Sequence, residues 1–203
     1  MIRIKFCGFT CQEDIVSAVT LGVDAYGFVF YPPSRRAVTV EQAVRLTEKL
    51  PAFLTRVGLF VNASKADILE TFSLCRLNLI QLHGDESPEF CDSLGVPYIR
   101  ALRVRSGMNI EREMEKYVGA SGFLFDTYVE GQPGGTGKRF DWELIPNISS
   151  KKIILAGGLT PENVKDAVDR VGPWAVDVSG GIESKPGRKD PDKMARFVEA
   201  CRG

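Results

Sequence analysis

Eight times along this 203-residue chain a short apolar run is followed by helix-start chemistry, and that alternation constrains the fold more than any other feature. The apolar runs are Ile2–Phe6, Ala25–Phe30, Thr55–Val61, Leu79–His83, Tyr98–Leu102, Phe123–Phe125, Ile153–Ala156 and Ala175–Val178. Strands separated by helices pair in parallel through right-handed crossovers. Eight such units close a (β/α)8 barrel, and residues 1–203 are expected to form it as a single domain of short length. A doubly wound open sheet is the alternative if two units merge.

Helix starts punctuate the runs. Thr10 with Glu13 and Thr39 with Gln42 have capping-box spacing, Ser64 precedes Asp67 by three, Ser87 precedes Pro88, and Asn109 opens a helix to Tyr117. The sixth helix has room only between Trp142 and Ile145, after a glycine-rich loop at 131–137. Thr160 and Pro161 read as N-cap and first helical residue of a helix to Val171, and Asp190 to Cys201 reads as the closing helix.

The seventh and eighth strands both end in glycine turns, Gly157-Gly158 and Ser179-Gly180-Gly181, the second opening a single helical turn. Glycine after a strand lets backbone N–H groups approach an anion, and helix N-termini add unpaired donors. In a barrel these two loops are the usual phosphate site. Gly157, Gly158, Ser179, Gly180 and Gly181 are the candidate phosphate residues.

A barrel's active site lies at the C-terminal ends of its strands, so the polar residues there matter most: Cys7, Arg36, Gln81, His83, Asp126, Asp177 and Ser179. On four strands the alternate positions are apolar and face helices: Ile4 and Phe6, Ile80 and Leu82, Phe123 and Phe125, Val176 and Val178. The polar set then shares the interior. A thiol and carboxylates in one cavity suit proton transfer, once their ordinary pKa values of about 8.5 and 4 are tuned. Lys5 lies about 7 Å below Cys7 on the same strand face, where an ammonium would favour thiolate; pairing with Asp126 is its alternative.

Composition excludes several classes. Lys plus Arg and Asp plus Glu are 26 each, which gives no charge excess for nucleic acid or a membrane surface, so the expected partner is a small molecule. Five cysteines without paired spacing, and one histidine, argue against disulfides and structural zinc. No dinucleotide fingerprint, Walker sequence or metal cluster is present, so no cofactor is expected. The chain shows no signal peptide or bilayer-length apolar run, and a cytoplasmic location is expected. Monomer and homodimer are equally compatible with it.

The motifs, taken in order, resemble the phosphoribosylanthranilate isomerase family. They are Lys5-Phe-Cys-Gly-Phe-Thr10 with Glu13-Asp14, Gly27-Phe-Val-Phe30 with Ser34 and Arg36, Val57-Gly-Leu-Phe-Val-Asn62, Gln81-Leu-His-Gly84, Asp126-Thr127, Gly134-Gly-Thr-Gly-Lys138, Phe140-Asp-Trp142, both glycine turns, and Pro161-Glu-Asn-Val164. The resemblance implies a barrel catalysing an Amadori rearrangement of a phosphoribosyl substrate in tryptophan biosynthesis. It implies Asp126 as general acid, Cys7 as general base and Arg36 as the ligand of the anthranilate carboxylate; Gln81, His83 and Asp177, from the strand-end census, are the further candidate substrate-binding residues. Phe6 and Phe9 replace smaller aliphatics, which should affect packing only, and Gly180 replaces a usual serine. Two other readings keep the barrel: a lyase with Lys5 as Schiff-base nucleophile, and a non-catalytic phosphosugar-binding protein.

Overall fold

The computed structural model describes residues 1–48, 50–105, 107–127, 142, 145 and 152–203. Strands β1 (Arg3–Cys7), β2 (Ala25–Val29), β3 (Thr55–Phe60), β4 (Leu79–Leu82), β5 (Tyr98–Val104), β6 (Gly122–Thr127), β7 (Ile153–Leu155) and β8 (Ala175–Val178) form one closed parallel barrel. Closure is made by β8 pairing with β1, Lys5 opposite Asp177, which removes the open-sheet alternative. Helices α1 (Gln12–Thr20), α2 (Val40–Thr47), α3 (Lys65–Leu74), α4 (Pro88–Ser93) and α5 (Ile110–Glu115) each follow a strand; α6 (Val164–Val171) follows β7 and α7 (Pro191–Arg202) closes the chain. The loop at 131–137 and most of the helix expected at Trp142–Ile145 lie outside the described residues.

Two cores follow from the period of the strands. Outward residues such as Ile4, Phe6, Ile80, Phe123, Phe125 and Val176 pack under the helices, where Phe6 meets Phe197 of α7 edge-on with ring centroids 6.0 Å apart. Burying such a ring contributes about 1.5–3 kcal/mol. Inward residues Ile99, Ala101, Leu124, Ile154, Ala156 and Ala175 fill the barrel's lumen. The middle of the lumen is therefore packed with apolar side chains.

Several helix starts hold and two do not. Thr39 and Gln42 form a reciprocal capping box, and Ser64, Ser87 and Asn109 each accept from the backbone three residues on. Thr10 does not cap α1: Cys11 occupies the N-cap without a side-chain bond, and the Thr10 hydroxyl donates to the Gly187 carbonyl instead. The helix after β7 begins at Val164, one turn later than Thr160 and Pro161 suggest. Asn163 explains the delay, because its Nδ2 donates to the Gly158 carbonyl and its Oδ1 accepts from the Thr160 N–H, each at 2.9 Å. Strand β6 runs to Thr127 rather than stopping at Phe125, so Asp126 is a strand residue.

Beyond β8, Gly180–Ile182 is the expected single turn, of 3-10 type. A short hairpin that the sequence pattern did not suggest follows it, β9 (Glu183–Lys185) with β10 (Arg188–Lys189). Among the described residues no helix is long and apolar enough to cross a membrane, and no cluster of three or more His, Cys, Asp or Glu is arranged to hold a metal.

Candidate active site

Cys7 ends β1 with its side chain in the lumen and is only 4 % exposed. Its neighbour in register is Gly27, and a Cβ there would come within 2.7 Å of the Cys7 sulfur. Gly27 thus makes the room the thiol occupies. Lys5, one interior position below, donates to Asp177 Oδ1 at 2.9 Å, the partner opposite it across the closing strands. Lys5 pairs with Asp177 rather than with its alternative, Asp126, because Asp177 stands directly opposite it in register while β6 lies two strands beyond β8.

The charges on Cys7 oppose one another. Burial pushes the thiol above its ordinary 9.0, the Lys5 and Lys189 ammonium groups pull it down, and the Asp177 carboxylate pushes it up again; the net direction is upward. Lys5 alone does not make a thiolate of Cys7, because Asp177 takes most of its field. Lys5 itself is pulled down by burial and raised further by Asp177, so it remains an ammonium. A Schiff-base nucleophile must be a free amine, and this pairing disfavours that role.

Across the lumen, His83 and Asp126 converge from β4 and β6. His83 Nε2 lies 3.2 Å from Asp126 Oδ2, and Gln81 Nε2 lies 2.9 Å from His83 Nδ1. With the Gln81 amide as placed, Nδ1 accepts and the imidazole proton lies on Nε2, which is close to Asp126 but makes no aligned hydrogen bond among the described residues. Gln81 and His83 belong to the same strand face, two residues apart, as the alternation predicts. Arg103, absent from the sequence census, stands in register with Asp126 on β5 and donates through Nη2 to the His83 carbonyl at 2.8 Å. Strand-end position and parity would have found it.

Arg36 is no solvated loop charge. Its Nε and Nη2 make a two-point pair with Glu183, both at 2.8 Å, which holds the Glu183 carboxyl below its ordinary 4.5 against the upward push of burial. Lys189 meets the same carboxylate at 3.0 Å. Neither Glu183 nor Lys189 was singled out from sequence, since nothing in the local pattern of 183–189 marks a hairpin folding back over β1. The Arg36 side chain lies above Gly8 and Gly180: a Cβ at Gly8 would sit 2.6 Å from Arg36 Cδ, and one at Gly180 3.2 Å from Nη2.

The two glycine turns touch. A Cβ on Gly181 would collide with the Leu159 carbonyl, so the β8 turn seats directly on the β7 turn. Gly157 and Gly158 have φ of +85° and +66°, the left-handed region that favours glycine. The Ser179 hydroxyl donates to the Cys7 carbonyl at 3.0 Å, so its backbone N–H, rather than its side chain, is what it can offer an anion. The helix contribution is smaller than the sequence suggests, since one turn is a single 3-10 turn and α6 starts late.

Comparison with known proteins points one way. Residues 4–200 match the family model described as N-(5'phosphoribosyl)anthranilate (PRA) isomerase. A curated N-(5'-phosphoribosyl)anthranilate isomerase of Pseudomonas fluorescens (strain Pf0-1) is 55 % identical over 201 residues, covering 99 % of this chain and 98 % of its own. The crystal structure of phosphoribosyl anthranilate isomerase from Thermotoga maritima superposes with a TM-score of 0.92 at 42 % identity, covering both chains fully. A second crystal structure of such an isomerase, in complex with reduced 1-(o-carboxyphenylamino)-1-deoxyribulose 5-phosphate, superposes at 0.86 with 39 % identity, again over the whole of both chains.

Proposed function

The chain belongs to the N-(5'-phosphoribosyl)anthranilate isomerase family of tryptophan biosynthesis, and on that premise we propose which of its residues carry the reaction. N-(5-phosphoribosyl)anthranilate becomes 1-(2-carboxyphenylamino)-1-deoxyribulose 5-phosphate by proton movements alone, with residues 1–203 acting as one barrel domain. Asp126 is the general acid that protonates the ribose ring oxygen; the ring opens and an iminium forms between C1 and the anthranilate nitrogen. Cys7 is the general base that then removes the C2 proton, and the enolamine tautomerises to the ketone.

The observation that carries this reading is the pairing of each reacting group with a charged or protonated neighbour inside the lumen. Cys7 feels the Lys5 and Lys189 ammonium groups, and both pull its thiol down against burial and the Asp177 carboxylate. Asp126 faces the Nε2 side of His83 at 3.2 Å. Arg36 holds the anthranilate carboxylate through Nη1, the guanidinium nitrogen that Glu183 leaves free. The N–H groups of Gly157, Gly158, Ser179, Gly180 and Gly181 hold the phosphate. Where relatives usually have a serine hydroxyl, Gly180 leaves that task to the backbone. Gln81 and Asp177 orient His83 and Lys5 rather than touching the reacting carbons.

The deciding experiment is turnover of freshly formed phosphoribosylanthranilate with chelator present and no cofactor added. Substrate deuterated at ribose C2 separates the two roles. Cys7→Ala should retain the label while protein-assisted anomer equilibration continues, and Asp126→Asn should stop that equilibration too. Near-normal turnover by Cys7→Ala would remove Cys7 as the base, and borohydride trapping of substrate on Lys5 would establish the lyase chemistry instead.

A further inference from the structure

Lys189 is the most deeply buried charged side chain near the site, with a side chain fully shielded from solvent, and the reaction as written makes no use of it. Its Nζ donates to the Cys7 carbonyl at 2.6 Å, to Glu183 Oε1 at 3.0 Å and to the Ser179 carbonyl at 3.2 Å. Three acceptors around one nitrogen match the three donors of an ammonium; a neutral amine would leave one acceptor facing no hydrogen. Burial pulls the Lys189 ammonium below its ordinary value, Arg36 adds to that and Glu183 offsets it only in part; the three acceptors around Nζ are what fit the charged form. The ring of Phe9 lies 5.8 Å away, a face an ammonium favours, so this phenylalanine does more than fill space.

Charge within the cluster does not balance. Arg36 and Lys189 are two cations sharing one carboxylate, Glu183; Lys5 is already neutralised by Asp177, and the buried Asp14, which accepts the Lys189 backbone N–H at 2.7 Å, faces the Arg188 guanidinium at 4.0 Å. One positive charge is left over beside the Cys7 strand end. Glu183 occupies Nε and Nη2 of Arg36, while Nη1 has no hydrogen-bond partner among the described residues. An incoming carboxylate at Arg36 supplies the missing negative charge.

We infer that Lys189 is a positioning residue for the isomerisation: it ties the Cys7 strand end to the β8 turn and, through Glu183, sets both the orientation and the surplus charge of Arg36. This rests on the assignment of Arg36 to the anthranilate carboxylate. Lys189 never reaches substrate. It converts an arginine that would be neutralised by Glu183 into a pair of cations with room for one more anion, and the fixture that does so also grips the backbone of the proposed base.

The test compares inhibition by free anthranilate with inhibition by inorganic phosphate, across Lys189→Met, Glu183→Asp and Arg36→Ala. Lys189→Met should raise KM and the anthranilate inhibition constant about tenfold, the scale of one charged hydrogen bond. Its phosphate inhibition constant should move less than about twofold on the same scale. Glu183→Asp keeps the charge count and shortens the reach, so it should weaken anthranilate in the same direction if Lys189→Met does not fold. Equal weakening of both inhibitors would mean that Lys189 only props up the β8 turn, which overturns the inference. Unchanged anthranilate inhibition in both Lys189→Met and Glu183→Asp, with Arg36→Ala still weakened, overturns it as well and leaves the Arg36 assignment standing. Unchanged anthranilate inhibition in Arg36→Ala overturns that assignment, and the inference with it.

Discussion

The β1–β8 side of the barrel mouth and the β4–β6 side hold the proposed base and the proposed acid, and they are built from different interactions. On the first, fixed ions do the holding: Lys5 with Asp177, Lys189 with Glu183, Arg36 with Glu183, and Lys189 on two strand-end carbonyls. On the second, an imidazole oriented by the Gln81 amide meets Asp126 at 3.2 Å. A thiol held above its ordinary range needs nearby cations to become a thiolate, and Lys5 and Lys189 supply them on the first side.

The largest effects should come from removing the two groups themselves. Cys7→Ala and Asp126→Asn should each lower kcat by about 10² to 10⁴-fold or more, the range for a positioned acid or base, measured in steady state. A large loss on one side and none on the other would break the comparison. Arg36→Ala comes next. Its charged hydrogen bonds are worth about 1.5–3 kcal/mol before and after the transition state, so KM should rise far more than kcat falls. Arg36→Lys should restore this only in part, since a lysine lacks the planar fork that meets Glu183 at two points.

A smaller, separable effect belongs to the glycine turns. Inorganic phosphate should inhibit competitively and raise the melting temperature by binding the folded state alone, and Gly158→Val should lose both responses. Normal phosphate binding by that variant would place the anion elsewhere. The smallest shift is the most specific to the ionic side. Alkylation of Cys7 in the ligand-free enzyme, followed by peptide mass, should show an inflection above the ordinary thiol range because burial outweighs the two ammonium groups. Lys5→Met removes one of those cations and leaves Asp177 unpaired, so the inflection should move higher still. A downward movement would mean that Lys5 acts on Cys7 in some way other than through its charge.

Much of this site was legible from residue order because a parallel barrel turns sequence parity into location. Cys7, Gln81, His83, Asp126, Asp177 and Ser179 each fall at an inward strand end, and alternation alone puts them there. Partnership was less legible. Lys5 could be weighed against Cys7 and Asp126 but not assigned to Asp177, since that pairing exists only after β8 closes onto β1 across 172 residues. Thr10 looked like a cap because a local backbone was its only partner in view; the Gly187 carbonyl, 177 residues away, competes successfully. Asn163 delayed α6 for the same kind of reason, spending its side chain on the glycine turn.

What the sequence by itself determined is the alternation of strands and helices, the count of eight, and the glycine turns at the last two strands, all of which depend on spacing within a few residues. What only the tertiary structure decided is the charge arrangement: Arg36 committed to Glu183, Lys189 buried against three acceptors, and Gly27 hollowed out beside the Cys7 sulfur. Periodicity is a property of adjacent residues and survives in the one-dimensional text. Electrostatic partnership depends on distance and burial, and in a closed barrel the residues that meet at the seam come from opposite ends of the chain.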